Sequence, residues 1–174
     1  TEARFGAKDA RTATGYNNLA ALFRAMGRYG EAVPLFQWAL AIRSEVLGAE
    51  HLDTAASMNN LAGMYLLMAR YDDALPLLRQ ALAIVETARG EDDPDTVTII
   101  NNLAGLYQQM GRYDEALPLF RRALVVDERT LGVGHPGTTI DLNNLAGFFD
   151  KMGRYEEALP LYRRALAIDE NALG

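Results

Sequence analysis

The stretch that decides the fold is Asn101 to Leu124, which reads NNLAGLYQQMGRYDEALPLFRRAL. Related versions begin at Asn17, Asn59 and Asn143, so the first asparagine recurs every 42 residues without slippage. The two copies that begin at Asn101 and Asn143 are identical at 18 of 24 positions. A fixed period of this kind is the signature of a repeat protein, in which each unit buries its apolar face against its neighbours.

The period divides the chain into four repeats and a short N-terminal remainder. We place the repeats at about 7–48, 49–90, 91–132 and 133–174. Residues 1–6 align with the end of a later repeat, and we interpret them as the tail of a preceding helix. Residues 1–174 are therefore expected to form a single array, cut from a longer natural or designed one.

Composition narrows the class of protein. Hydrophobic residues make up 49% of the chain, which suits a packed protein, and no apolar run approaches the length of a membrane span. The net charge of −6 argues against a nucleic-acid partner, which would require a basic surface. There is no cysteine, and the N-terminus lacks the apolar core of a signal peptide. These features predict a cytoplasmic protein without membrane contact.

Each repeat is predicted to contain two helices. In the repeat at 91–132, apolar residues recur at steps of three and four along the first helix: Val97, Ile100, Leu103, Ala104 and Tyr107. This helix is expected to begin near Asp93 and to end at Gly111; the second opens near Asp114 and ends at Gly132. We expect a recurrent proline to lie at the first-turn edge of each second helix: Pro34, Pro76, Pro118 and Pro160.

This order of residues resembles the tetratricopeptide repeat. The family pattern is matched in the repeat at 91–132 by Ile100, Leu103, Ala104, Tyr107, Gly111, Tyr113, Ala116, Phe120 and Ala123. The family period is about 34 residues; the longer spacing here, with Gly132, His135, Pro136 and Thr138 between repeats, resembles the kinesin light chain subtype. The resemblance implies an all-α, right-handed superhelical solenoid of antiparallel helix pairs, whose concave wall is built from the first helix of each pair. Ala69 departs from the pattern, because the other copies have glycine there.

Matching by motif places a pair of asparagines on this wall in every repeat: Asn17 and Asn18, Asn59 and Asn60, Asn101 and Asn102, Asn143 and Asn144. An asparagine side chain both donates and accepts hydrogen bonds, so a row of them can hold the backbone of an extended peptide. The resemblance implies that role for the second asparagine of each pair. The alternative is a structural ladder that bonds neighbouring helices and satisfies buried polar groups; one asparagine of each pair could serve each purpose.

The rest of the wall indicates a peptide groove. Gly63, Gly105 and Gly147 remove side chains from its floor, at a cost to helix stability that needs a reason. Chaperone-binding relatives place Lys or Arg beside the asparagine to grip a terminal carboxylate; this chain has Asn and Gly or Ala there, so a carboxylate clamp is not expected. Selectivity is expected where the copies differ: Arg24, Leu66, Gln108 and Asp150, with Gln109 beside them.

Other polar residues have simpler interpretations. His51 and His135 are expected to bond backbone groups in turns and not to hold a metal. Arg28, Arg70, Arg112 and Arg154 follow each first helix and are expected to bond its last carbonyls. No nucleophile–base set, phosphate loop or metal cluster is evident, so we predict no catalytic residues, no metal, no cofactor and no enzymatic activity.

Two functions remain open at this level. The first is a protein-interaction scaffold that binds a peptide segment of a partner in the concave groove. The alternative is a structural spacer or self-assembling module, because Leu159, Tyr162, Leu166 and Leu173 would leave an apolar face at the C-terminal repeat. Such a homo-oligomer would stack head to tail.

Overall fold

The protein is described here from a computed structural model, which covers residues 9–173, with the side chain of Leu173 excepted. The interpreted helix tail at 1–6 lies outside the described residues. Within them, every regular element is a helix: α1 (Ala10–Ala25), α2 (Tyr29–Val46), α3 (Leu52–Leu67), α4 (Tyr71–Arg89), α5 (Pro94–Gln109), α6 (Tyr113–Thr130), α7 (Thr138–Lys151) and α8 (Tyr155–Leu173). The prediction of two helices per repeat is confirmed, and the fold is an all-α helical repeat solenoid.

The chain forms two compact units, Thr1–Ala88 and Arg89–Gly174. The first unit holds the pairs α1–α2 and α3–α4, and the second holds α5–α6 and α7–α8, so each unit contains two repeats. Neighbouring repeats within a unit pack through the second helix of one pair and the first helix of the next, α2 on α3 and α6 on α7. Among the described helices, none combines the length and apolar character that crossing a membrane requires.

The turn inside each helix pair depends on one residue with positive φ. Gly27, Gly111 and Gly153 have φ of 71°, 72° and 71°, as expected for glycines that end a helix. Ala69 holds the same place with φ of 56°, a conformation in which its Cβ crowds the backbone. The replacement of glycine by Ala69 therefore causes local backbone strain, while the turn keeps the geometry of the other three.

A threonine closes each described junction between repeats. The hydroxyls of Thr54, Thr96 and Thr138, all fully buried, donate to the carbonyls of Gly48, Gly90 and Gly132 at 2.8, 2.9 and 2.9 Å. These glycines also have positive φ, so each one reverses the chain after a second helix. The hydroxyl satisfies a carbonyl that the helix end leaves without an intrahelical partner.

The recurrent prolines do not lie where we expected them. Helix α2 begins at Tyr29 and α6 at Tyr113, which places Pro34 and Pro118 five residues further on, inside the second turn. The expectation of a first-turn edge was wrong because the helix begins at the tyrosine and not at the acidic residue that follows it. A proline at this depth removes one intrahelical hydrogen bond.

The recurrent arginines also differ from the expectation. Arg28, Arg70, Arg112 and Arg154 pair with the acid three residues ahead: Glu31, Asp73, Glu115 and Glu157. Each guanidinium also lies 4.4 to 4.7 Å from the centre of the aromatic ring at the end of the preceding helix. The arginines therefore join the two helices of a pair through an ion pair and a cation–π contact.

The core follows the alternation of small and large residues. Alanines bring the helices close together, and Ala20, Ala62, Ala104 and Ala116 are fully buried. In the second unit, aromatic rings fill the remaining space: Phe148 lies 5.9 Å from Tyr113, 5.7 Å from Phe120 and 5.6 Å from Phe149, measured between ring centres. Phe148 is the residue through which α7 packs against α6, and this packing fixes the outward face of α7.

Candidate functional site

The second unit brings most of its predicted wall residues together around one cavity of about 390 Å³. Helix α5 contributes Asn101, Asn102, Gly105, Gln108 and Gln109; α7 contributes Asn143, Asn144, Gly147 and Lys151; Phe120 of α6 completes the lining. Every predicted site residue of this unit lines the cavity except Asp150, which is exposed beside it. Lys151 and Phe120 were not among the predicted site residues.

Helical spacing explains why these side chains meet. Residues 101, 105 and 108 lie three and four apart, so they share one face of α5, and 143, 147 and 151 do the same on α7. The opposite faces of the two helices are buried in the core. What remains accessible is a wall of amide side chains, floored by backbone.

The floor is open because of the glycines. A Cβ added at Gly105 would meet nothing within 4 Å, and the same holds at Gly63 in the first unit. At Gly147 the nearest atom is the hydroxyl oxygen of Tyr162, at 3.6 Å, an ordinary contact. These glycines are therefore not required by close packing within the described chain. Their absent side chains leave space above the helix backbone.

In the first unit, two wall asparagines bond each other. Asn60 Nδ2 donates to Asn17 Oδ1 at 2.8 Å, and both side chains are half-buried. This bond joins α3 to α1 and corresponds to the structural ladder considered from the sequence. Elsewhere on this wall, Asn18 and Arg24 are exposed, whereas Asn59, Gly63 and Leu66 are half-buried.

The second unit does not repeat this bond. Asn101 is the equivalent of Asn17, but its Nδ2 donates to Asp141 Oδ1 at 2.5 Å. The amide oxygen of Asn101 is buried and has no hydrogen-bond partner. At the other end of the wall, Lys151 Nζ donates to Gln109 Oε1 at 3.2 Å and so joins the two helices. The asparagine ladder is thus a property of individual positions and not of every repeat.

Asp141 is the residue that sequence reasoning missed. Its side chain is 1% exposed, and burial raises its pKa to about 7, because a charged carboxylate is disfavoured away from water. The hydrogen bond from Asn101 lowers this pKa, and the nearby carboxyl group of Asp127 raises it further. The available signal was the repeat register, since the equivalent positions hold Gly15, Ser57 and Ile99.

A second cavity, of about 210 Å³, adjoins the first. It lies between α5, the end of α6 and the start of α7, and both Asp127 and Asp141 line it. Asn101 lines both cavities. When Asp141 is ionised, its second carboxylate oxygen is buried there without a donor; when Asp141 is protonated, it is hydrogen-bonded with Asp127. We call this second cavity the acid pocket.

Comparison with protein families identifies the repeat. A tetratricopeptide repeat model matches residues 11–87 and 95–171. The chain belongs to the tetratricopeptide repeat family. Both matches take in two helix pairs, and together they cover nearly all of the described residues. This family points to protein–protein interaction scaffolds and indicates no catalytic class. Comparison with curated proteins returns no match.

Solved structures with this tetratricopeptide fold include BtubC (BKLC) from P. vanneervenii, with a TM-score of 0.83 and 26% identity over 93% of this chain. This chain spans 65% of BtubC. A kinesin light chain-type protein of Podosopora anserina with nearly identical TPR-like repeats has a TM-score of 0.80 and 27% identity, over 97% of this chain and 80% of that one. The predicted likeness to kinesin light chain repeats is confirmed. Aspartyl phosphate phosphatase F from Bacillus subtilis has a TM-score of 0.78 and 16% identity, and the match covers 94% of this chain and 41% of that one. This likeness concerns the fold alone.

The two histidines of the tetratricopeptide linkers act on the backbone. His51 Nδ1 accepts from the amide of Asp53 at 3.1 Å and caps α3, and His135 Nδ1 accepts from the amide of Gly137 at 3.0 Å. The predicted backbone role is confirmed for both. A search of residues 9–173 finds no group of three or more acidic or histidine side chains placed to hold a metal ion.

Proposed function

We propose that this chain is a protein-interaction scaffold that holds an extended peptide segment of a partner against the first helices of its repeats. The proposal carries no catalytic step. The observation behind it is the cavity of about 390 Å³ between α5 and α7, lined by four asparagines, two glutamines and two glycines. Such a surface offers hydrogen bonds to peptide N–H and C=O groups without requiring particular side chains.

The asparagines divide between two tasks in this proposal. Asn17 and Asn60 bond each other and stabilise the first unit. Asn102, Asn143 and Asn144 line the cavity of the second unit, where Asn143 is exposed. The amide groups of this second set are the ones we expect to meet a peptide backbone.

Selectivity is proposed to come from the wall positions that differ between repeats. Arg24 and Asp150 are exposed and carry opposite charges, whereas Leu66 and Gln108 are half-buried. A bound peptide would therefore meet a different side chain at each repeat while its backbone met similar amides. Charged contacts at exposed positions act mainly on which partner is accepted and how fast it associates.

The proposal can be tested with peptides selected on the protein itself. A phage-displayed library of random, unstructured peptides is selected on the whole chain, and binding of the recovered peptides is measured by fluorescence anisotropy. The double variant Asn102→Ala, Asn144→Ala should weaken binding at least about tenfold, because each lost amide leaves polar peptide groups without partners. Arg121→Ala, an exposed residue of α6 outside the cavity, is the matched control.

Two results would contradict the proposal. One is a selection that yields no peptide above the background of a library panned on bare support. The other is equal binding by the wild type and the double variant, which would place the recovered peptides elsewhere. Circular dichroism and thermal melting of both variants are recorded beside the wild type, so that a loss of folding is not mistaken for a loss of binding.

A second candidate function is end-to-end self-association, favoured by one observation. Helix α8 exposes Leu159 by 46%, Tyr162 by 40% and Leu166 by 58%, which together form an apolar face. Exposed apolar patches of this kind commonly mark interaction sites. Light scattering across a concentration series should show growth of the wild type that Leu166→Glu abolishes; a monomer at all concentrations would exclude it.

A further inference from the structure

The acid pocket contains two carboxyl groups in a position where the fold does not need them. Asp127 comes from α6 and Asp141 from α7, and Asn101 of α5 completes the polar side of the pocket. Its other side is apolar, with Val97, Leu131 and Ile140. Asp141 is almost fully buried, and in its ionised form the second carboxylate oxygen has no donor. A buried acidic oxygen without a hydrogen bond is costly, so its presence needs a reason.

The other repeats show that stacking itself provides no such reason. In the repeat register, Val85 occupies the place of Asp127, and Ile99 the place of Asp141; both are buried, at 3% exposed. In the first unit the same places hold Arg43 and Ser57, and Arg43 Nη1 donates to Ser57 Oγ at 2.9 Å. The chain therefore contains an apolar and a hydrogen-bonded solution at equivalent positions. The pair of acids is a third solution, in which an ionised Asp141 leaves a buried oxygen without a donor.

We propose that the acid pocket binds the side-chain ammonium group of a lysine in the peptide held along the wall. This inference rests on the proposed function and names the chemistry of one residue of the partner. An ammonium group has three donors and no acceptor. The pocket offers three acceptors: the carboxylate of Asp127, the second oxygen of Asp141 and the amide oxygen of Asn101.

The shape of the pocket fits the rest of a lysine side chain. Val97, Leu131 and Ile140 form a wall against which the methylene stem can pack, as lysine stems do on apolar surfaces. Asp127 is half-buried, so its carboxylate is the first of the pair that an entering cation meets. Asp141 lies behind it, and when it is ionised it adds a second negative charge in a poorly solvated place, where an ion pair is stronger than in water.

Asn101 connects this pocket to the main cavity. It lines both cavities and donates to Asp141, so it stands at the boundary between them. A peptide whose backbone lies over Asn102 and Gly105 would have a side chain beside Asn101. That side chain is the one we assign to the acid pocket. The backbone would then be held without selectivity, while the pocket selects a basic residue at one position.

The test uses a single-residue probe on the whole 174-residue chain. Nα-acetyl-lysine methylamide is titrated, and the side-chain amide signals of Asn101 are followed by NMR. The matched neutral probe is Nα-acetyl-norleucine methylamide, which keeps the stem and lacks the charge. Asp127→Asn and Asp141→Asn should each weaken lysine binding about tenfold or more, because each removes a charged acceptor. Asp169→Asn is the control, since Asp169 has the repeat position of Asp127 and is exposed on α8.

The outcomes separate cleanly. Saturable shifts with the lysine probe, absent with norleucine and lost in both variants, support the proposal. Equal affinity in wild type, Asp127→Asn and Asp141→Asn would overturn it, and so would a loss as large in Asp169→Asn. Tighter binding of Nα-acetyl-arginine methylamide would overturn the assignment to an ammonium group. The double variant Asp127→Val, Asp141→Ile, copied from Val85 and Ile99, should stay folded by circular dichroism and bind neither probe.

These outcomes are distinct from failure of the proposed function. If the lysine probe does not bind but library peptides still require Asn102 and Asn144, the wall binds peptides and the acid pocket has no part in it. If the probe binds and no library peptide does, the pocket is a cation site and the peptide proposal fails.

Discussion

Replacing Asp141 by asparagine should change how the stability of the protein depends on pH. In the folded chain the pKa of Asp141 is raised from 3.8 to about 7, so the folded state holds this proton more tightly than the unfolded state. The resulting stabilisation is fully present below the unfolded pKa and is lost as pH rises to about 7. At about 1.4 kcal/mol per pH unit, the loss between about pH 5.5 and pH 7.5 is about 2 kcal/mol.

Asparagine has the same shape and no proton to lose. It can still accept the hydrogen bond from Asn101, and its own amide can donate to Asp127. The free energy of unfolding of Asp141→Asn should therefore lack this loss. Between the two pH values, the free energy of unfolding of the variant should rise by about 2 kcal/mol relative to that of the wild type, because only the wild type loses stability over this range.

Urea unfolding followed by circular dichroism measures the difference at both pH values, which lie above the isoelectric point of about 4.9. Asp169→Asn, at an exposed position, should differ from wild type by the same amount at both. Titrating groups that do not contact Asp141 cancel in the comparison; Glu31, whose pKa is lowered by its hydrogen bond from Arg28, is present in every variant. A difference for Asp141→Asn that is independent of pH, or that falls as pH rises, would refute the reasoning.

Four further substitutions test the turns, the wall and the junctions, each by chemical unfolding. Ala69→Gly should stabilise the protein by about 1 kcal/mol, because Ala69 has positive φ, and Gly111→Ala at the equivalent turn should cost a similar amount; the opposite signs would contradict the strain argument. Gly105→Ala should stabilise α5 by about 0.5–1 kcal/mol, since nothing lies within 4 Å of the added Cβ, yet weaken binding of the selected peptides. Thr96→Val should cost about 1–3 kcal/mol because it leaves the carbonyl of Gly90 without its hydrogen bond; an unchanged free energy of unfolding would mean that water replaces the hydroxyl.

Much of the fold could be predicted because each helix and turn occurs in several copies, so a signal that is ambiguous in one copy is clear when the copies are compared. The alternation of alanine with large residues recurs in all four repeats, and a glycine ends the first helix in three of them, so each element is supported by its copies. The errors arose at helix starts. Pro34 was expected at the first-turn edge, whereas the helix begins at Tyr29 and holds this proline in its second turn. Arg28 was expected to bond the last carbonyls of the preceding helix, whereas it pairs forward with Glu31 and back with the ring of Phe23.

The outline of the candidate site could be predicted because it depends on what the repeats share. Its details were missed because they depend on where the repeats differ. Asn101, Gly105 and Gln108 meet their counterparts of α7 because identical spacing produces identical faces. The differences between repeats cannot be predicted from the residues that the repeats share. Asn101 bonds Asp141, at a position where the last repeat alone has aspartate, whereas the equivalent Asn17 bonds Asn60, an asparagine that every repeat has.

The junction residues also limit how freely the repeats can be exchanged. Positions 43 and 127 are two periods apart, as are 57 and 141, so excising residues 49–132 would join α2 directly to the linker that precedes α7. In the shortened chain Arg43 would face Asp141. A guanidinium that now donates to uncharged oxygens would then neutralise the buried carboxylate. Near-identical repeats are therefore not equivalent building blocks. Deletion by whole periods would preserve the helical register while replacing three unlike junctions with one that holds a buried ion pair.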